Sequence, residues 1–304
     1  MTNKIATLVG CAIGDALGNP FEMKSAISPR LIEWDGLFKA GGTFWKGNPG
    51  QYTDDTLMSL CLSASLLEKN GFDPEDVAKK YLAWYDSGNT RGIGATTATA
   101  IARLKMGATW QESGLTHSFD GRPAGGNGTA MRASPIGLFY RKDLSKIIEV
   151  VVADASITHN SDEPKMGSVA VALATALLSY GDPPSSVWAE VLEVLPDCVV
   201  KQKLELAKNE WLNGTEHSAA LANIGVSGYV PETVGAAFYC LRATNSFKDA
   251  VVMAVKAGGD TDTTAAIVGA LAGTYYGLDD IPEEYKGVEN FELLQALTDE
   301  LINN

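Results

Sequence analysis

Apolar residues recur at helical spacing through most of this chain. Ile5, Leu8, Val9, Ala12, Ile13, Ala16 and Leu17 fall on one helical stripe, which predicts a helix closed by Gly18-Asn19-Pro20. Met166, Val169, Ala170, Leu173, Ala174, Leu177 and Leu178 repeat the pattern up to Gly181-Asp182-Pro183-Pro184. Residues 57–69, 74–85, 96–104, 233–243, 265–275 and 291–301 carry the same periodicity. Alternating β-branched runs are scarce. Residues 147–152 could form a strand, but Asp154-Ala155 just beyond them favours a helix. The expectation is an all-α fold, one compact multi-helix bundle spanning residues 1–304 as a single domain. No low-complexity linker and no repeat of about 20 to 50 residues divides it.

Several of these stripes are built from Ala, Gly and Ser, as in Gly10-Cys11-Ala12-Ile13-Gly14. Small residues let helix axes approach closely, so tight packing is expected. The composition is that of a globular protein, with 45% hydrophobic and 20% charged residues. A formal net charge of −13 disfavours nucleic acid or anionic membrane as a partner, because phosphate binding calls for a basic patch. Cys11, Cys61, Cys198 and Cys240 stand far apart, which disfavours zinc-finger and thioredoxin chemistry; free buried thiols are expected at Cys11 and Cys61. Residues 166–181 and 263–278 are the longest uncharged stretches. Both fall short of the roughly 18 to 20 residues that span a bilayer. The start, Met1-Thr2-Asn3-Lys4, lacks the continuous apolar run of a secretion signal, so a cytoplasmic protein is expected, and a monomer.

Two acidic clusters carry the chemistry: Thr53-Asp54-Asp55-Thr56 and Asp260-Thr261-Asp262-Thr263, each followed at once by an apolar helical run. One reading is helix N-capping, since Thr and Asp accept hydrogen bonds from free backbone N–H groups. A cap needs one oxygen, however, and each cluster offers two carboxylates with hydroxyls beside them. If the two helix starts face one another, four carboxylates converge. That concentration calls for cations, and all-oxygen ligation suits a hard ion such as Mg²⁺, Mn²⁺ or Ca²⁺. Both readings stand at this point.

Three other segments are candidates. Glu22 follows the first helix on a turn, either as a solvated loop acid or as part of a site, and Asp15 is expected to be structural. The loop Gly121-Arg122-Pro123-Ala124-Gly125-Gly126-Asn127-Gly128-Thr129 is either a plain turn or a nest of backbone amides for an anion. It is not a phosphate loop of the Gly-Lys-Ser/Thr kind. His159, in Ser156-Ile157-Thr158-His159-Asn160, is either a hydrogen-bonded structural residue or part of a site. His117, His159 and His217 are too dispersed for a zinc motif, and no Gly-x-Ser-x-Gly elbow is present.

Taken in order, these segments resemble the ADP-ribosylglycohydrolase family. The matching stretches are GCAIGDALGNPFE (10–22), QYTDDTLMSL (51–60), RGIGATTATAIARL (91–104), GNGTAMRASPIGL (126–138), SITHN (156–160), GYVPETVGAAFYCL (228–241) and AGGDTDTTAAIVGALAGTYYG (257–277). The resemblance implies an all-α enzyme with two Mg²⁺ or Mn²⁺ ions at the bottom of a cleft. It implies Thr53, Asp54 and Asp55 as one arm of the metal ligands and Asp260, Asp262 and Thr263 as the other. Glu22 matches a glutamate of that family that gates the site and moves a proton. Gly125, Gly126, Asn127 and Gly128 match the loop around the diphosphate, His159 a cleft histidine, and Tyr229 an aromatic position near the adenosine.

The implied reaction is hydrolysis of the glycosidic bond at the distal ribose of an ADP-ribosylated protein or small molecule, releasing ADP-ribose. With the aspartates on metal, Glu22 is the first candidate for general acid/base and Asp55 the second. One departure bears on the acceptor: Gly92 stands where an aspartate starts this segment in the dinitrogenase-reductase branch, which leaves the acceptor open. Two alternatives remain: a catalytically silent relative of the lens-crystallin kind, and a dinuclear hydrolase of a free nucleotide or phosphoester.

Overall fold

The computed structural model describes residues 4–25, 32–117, 121 and 123–304. Met1, Thr2 and Asn3 of the amino-terminal stretch and Arg122 of the glycine loop lie outside the described residues. Among the described residues there are fifteen α-helices. The first eight are α1 (Thr7–Gly18), α2 (Asp54–Lys69), α3 (Pro74–Asp86), α4 (Ala95–Lys105), α5 (Trp110–Ser113), α6 (Ser134–Phe139), α7 (Leu144–Thr158) and α8 (Asp162–Leu178). The rest are α9 (Pro184–Val194), α10 (Val199–Leu212), α11 (His217–Ile224), α12 (Val230–Ala243), α13 (Phe247–Lys256), α14 (Thr261–Tyr276) and α15 (Phe291–Asn303). The described residues hold a single sheet, an antiparallel pair of two-residue strands, β1 (Lys24–Ser25) with β2 (Gly258–Gly259). The all-α expectation therefore holds, and residues 147–152 lie inside α7.

The eight segments with full helical periodicity all form helices. Seven helices fall outside them: α7, of which residues 147–152 give an ambiguous signal, and α5, α6, α9, α10, α11 and α13. Of the last six, two are a single turn or little more, too short for periodicity to register. Among the described residues no helix is long and apolar enough to cross a membrane.

The centre of the molecule is the antiparallel pair α1 and α14. Every residue of α1 is buried, as is α14 from Thr261 to Thr274. Small residues at every fourth position of α1 meet the α14 backbone. A Cβ on Gly10 would stand 2.0 Å from the Gly269 carbonyl oxygen, and one on Gly14 1.8 Å from that of Ala265. At Gly18 it would stand 2.4 Å from the Asp262 Cα. Hydrogen bonds pin both ends: Ala6 N–H donates to Gly273 O at 2.9 Å, and the Thr261 hydroxyl to Gly18 O at 2.8 Å. The remaining helices wrap this pair, and one continuous cluster of buried apolar side chains runs from Ala6 to Leu301.

The antiparallel register has a functional consequence. It brings the carboxyl end of α1, with Glu22 just beyond, against the amino end of α14, which begins in the second acidic cluster. Gly10→Ala is expected to destabilise the protein despite alanine's advantage of about 1 kcal/mol in a helix interior. The added methyl lands on backbone that cannot move aside, and overpacking of that kind costs about 3 kcal/mol. Thermal unfolding of the variant checks this; an unchanged or raised Tm would contradict the backbone contact.

Candidate active site

The sequence places Asp54 and Asp55 in the first turn of α2, where a self-contained helix would use Thr53 as its cap. Thr53 does occupy the N-cap position, but its side chain makes no capping bond. The cap comes from another helix. The buried Asp15 carboxylate on α1 accepts from the backbone N–H of Thr53 (2.9 and 3.0 Å) and of Thr56 (3.1 Å). It also accepts from both threonine hydroxyls, at 2.8 and 2.7 Å. With the orphan amides satisfied from α1, Asp54 and Asp55 are free to face the other cluster. Asp260 is likewise the N-cap residue of α14 without a side-chain capping bond. Capping accounts for neither cluster.

The two clusters meet. The Thr263 hydroxyl donates to Asp55. Glu22, Asp260 and Asp262 each offer an oxygen within 4.8 Å of the others. Glu22 is held there by β1 and β2, where Met23 N–H donates to Gly259 O at 2.6 Å, and by the Thr43 hydroxyl, which donates to the Glu22 carbonyl at 2.6 Å. Glu22, Asp54, Asp55, Asp260, Asp262 and Thr263 line one cavity of about 490 Å³. Among the described residues no lysine or arginine lines it.

With no cationic side chain among the described residues that line the cavity, the five carboxylates repel one another, and their proton affinities record it. Burial, reinforced by the charges of Asp260 and Asp54, lifts Glu22 to about 8. Burial and the Asp15 charge lift Asp54 to about 8. Asp55 and Asp262 are driven well above the carboxylate range, again by burial first and by their acidic neighbours second. Asp15 rises by burial to about 6, held back by the four groups that donate to it. In addition, Asp55 Oδ1 is buried without a hydrogen-bond partner among the described residues. A buried lone oxygen in an all-oxygen, net-negative set fits a hard divalent cation.

The glycine loop forms the opposite wall. Gly126 bridges to Tyr229, flanked by Asn127 N–H to Gly228 O (3.1 Å) and Val230 N–H to Gly125 O (3.0 Å). Asn127 is committed: its amide donates to Asp260 Oδ2 at 2.9 Å and to the Thr233 hydroxyl at 3.0 Å. It orients an acidic residue of the cluster, while among the described residues the N–H groups of Gly126 and Gly128 are unbonded. His159 packs beside both glycines and lines the cavity. Burial and the Arg132 charge push it down to about 3, so it is neutral. Half-exposed Tyr229 covers Gly125, with its ring 2.8 Å from where a Cβ would stand. Thr53, Gly125 and Tyr229 do not line the cavity. Thr53 sits behind it, fully buried, and Tyr229 lies at its rim.

Several lining residues escaped the sequence reading. Phe44, 66% exposed, and Met23 stand at the mouth beside Glu22. Residues 92–97 and Met131 complete the walls. Gly92 has φ +74°, and a Cβ on it would lie 2.8 Å from Asp54 Oδ1, so no acidic side chain fits there in this backbone conformation. Phe44 sits in an irregular loop with no periodicity to mark it. The Gly94 cap of α4, whose N–H donates to Asp54, was legible as a glycine turn before a helix.

A family model described as ADP-ribosylglycohydrolase matches residues 3–304. The chain is 31% identical over 306 residues to ADP-ribosylarginine hydrolase Tri1 of Pseudomonas putida, covering 97% of this chain and 76% of that protein. It is 29% identical over 343 residues to mouse ADP-ribosylhydrolase ARH3, covering 97% and 89%. A solved structure titled an ADP-ribosylglycohydrolase-related protein complex superposes with a TM-score of 0.75 at 27% identity, covering 98% of this chain and 96% of that one.

The raised carboxylates set a pH dependence. In the folded state Asp15 rises to about 6, and Glu22 and Asp54 to about 8. In the unfolded chain all three return to about 4. The folded state therefore keeps protons that the unfolded state releases, and this part of the stability is full below about pH 4 and lost as pH rises through about 8. In chelator, Tm is expected to fall steadily between about pH 5 and 8. A Tm that is flat or rising there contradicts the assignment.

Proposed function

This chain belongs to the ADP-ribosylglycohydrolase family, and from that premise we propose that it cleaves the glycosidic bond at the distal ribose of an ADP-ribosylated protein or small molecule, with two Mg²⁺ or Mn²⁺ ions. The observation that carries this reading is the cavity itself: among the described residues, five carboxylates, no cationic side chain, and a wall of unbonded amides opposite. Asp54 and Asp55 would hold the ions from the α2 side, backed by Thr53, whose hydroxyl donates to Asp15, and Asp260, Asp262 and Thr263 from the α14 side. When bound, such ions supply Lewis-acid polarisation and fix the hydroxyls of the ribose or a water.

The protein's own groups divide the remaining work. The N–H groups of Gly126 and Gly128 suit the diphosphate, because a neutral donor wall accepts an anion without being quenched by the carboxylates opposite. Tyr229 at the rim, beyond Gly125, offers a ring face to the adenosine. Asn127 keeps Asp260 oriented. The oxocarbenium-like transition state develops positive charge, which the carboxylate cluster stabilises. Glu22 is the proton-transfer group. It stands on a turn rather than at a helix start, and its burial raises its proton affinity, which suits a group that carries a proton.

Defined substrates carrying ADP-ribose on arginine or serine, assayed with Mg²⁺, Mn²⁺ or chelator, test the proposal. ADP-ribose is the expected product, chelator is expected to abolish its release, and Asp262→Ala to mimic chelator. Release of AMP or phosphate instead would identify a phosphoesterase, and turnover undiminished in chelator would remove the metal role. Glu22→Gln is expected to bind ADP-ribose while turning over about 10² to 10⁴-fold more slowly. Full activity of that variant would strip Glu22 of its role.

A further inference from the structure

Behind the glycine loop lies a buried polar chain that the reaction above leaves without a task. The Arg132 side chain is fully buried. Its Nε donates to Asp154 Oδ2 at 2.9 Å, and one Nη to the Asp154 carbonyl at 3.1 Å. The other Nη donates to Gly128 O and to the Thr158 hydroxyl, both at 2.9 Å. Tyr81 completes the chain, with its hydroxyl donating to Asp154 Oδ1 at 2.9 Å and its ring 4.8 Å from the guanidinium. At the far end the Thr158 oxygen lies 2.9 Å from His159 Nδ1.

Counting hydrogens favours one direction for that last bond. A guanidinium only donates, so the Thr158 oxygen accepts from Arg132. Thr158 has one hydrogen, and among its partners His159 Nδ1 is the only group able to accept it. With the lone pair on Nδ1 and the hydrogen on Nε2 the chain closes, whereas a hydrogen on Nδ1 would leave the buried Thr158 hydroxyl hydrogen without an acceptor among the described residues. Nε2 lies 3.2 Å from the Cβ position of Gly126 and 3.4 Å from that of Gly128, and among the described residues it has no protein partner. Three donors thus share one wall: the N–H groups of Gly126 and Gly128 and the His159 Nε2–H.

We propose that Thr158, oriented by Arg132, is a positioning residue that holds His159 as a neutral imidazole protonated on Nε2, giving the glycine wall a third donor for a phosphate oxygen of the substrate. This rests on the reading of the cleft as an ADP-ribosyl site, but the placement of the proton does not. The reverse tautomer would turn a lone pair toward the anion and make His159 repel what its neighbours attract. A protonated ring is ruled out by burial beside Arg132, which keeps the histidine neutral at working pH. The buried chain thus sets which face of an uncharged ring meets the ligand.

Ring ¹⁵N shifts of His159 test the proton directly, and free ADP-ribose in saturating Mg²⁺ tests the ligand. Three histidines make assignment by single substitution practical. The wild type is expected to show a protonated Nε2 and an accepting Nδ1, unchanged between about pH 5.5 and 8. Thr158→Val is expected to lose that pattern and to bind ADP-ribose about tenfold more weakly, the worth of one hydrogen bond. Thr158→Ser is expected to restore both, separating the hydroxyl from packing. A wild-type hydrogen on Nδ1, or a doubly protonated ring, overturns the proposal. So does a Thr158→Val protein whose tautomer changes while its affinity for ADP-ribose does not. Failure of the wild type to bind ADP-ribose refutes the ligand half together with the functional reading, and the shifts still decide the tautomer.

Discussion

The backbone-to-backbone contact of α1 with α14 is the constraint on which the site depends. Gly10, Gly14 and Gly18 remove the side chains that would keep the helices apart, and Gly269 does the same on the partner. Two antiparallel helices in such contact have little freedom to slide, because each carbonyl sits where a methyl would otherwise be. The end of one helix is thereby locked to the beginning of the other. Glu22, just past α1, and Asp260 and Asp262, at the start of α14, inherit their proximity from that register.

Asp15 extends the same logic to the third element. A carboxylate buried in the middle of a helix pair is costly, and here it is offset by two backbone amides and two hydroxyls that all belong to the start of α2. Helix α1 thus caps α2 from outside. A helix that capped itself would have turned one of its own acidic side chains back onto its amides. Relief from that duty leaves Asp54 and Asp55 available to the cavity. The site's acidity follows from an arrangement made one layer further back.

The cavity is divided between two kinds of electrostatics. One wall collects carboxylates whose mutual repulsion is relieved either by protons or by cations, and which of the two is present changes with pH and metal supply. The other wall offers neutral donors whose strength owes nothing to net charge. This division lets a chain of net charge −13 present donors to an anion. Gly92 belongs to the first wall: its left-handed backbone and its nearness to Asp54 leave no room for another acid. Phe44 and Met23 make the mouth beside Glu22 apolar instead.

The sequence by itself determined the helical class, because a periodicity of 3.6 residues is a local property written along each segment. It also marked the two acidic clusters and the glycine loop, since unusual composition over four or nine residues is visible without a fold. Short helices such as α5 and α6 escaped because one or two turns carry too few positions to reveal a period. What only the tertiary structure decided is which groups are spent and which are free. Thr53 reads as a cap and is not one, Asn127 reads as a loop donor and is bound to Asp260, and Asp15 reads as structural and positions the acidic turn of α2. Such commitments depend on hydrogen-bond partners tens to hundreds of residues away, and a linear pattern carries no record of them.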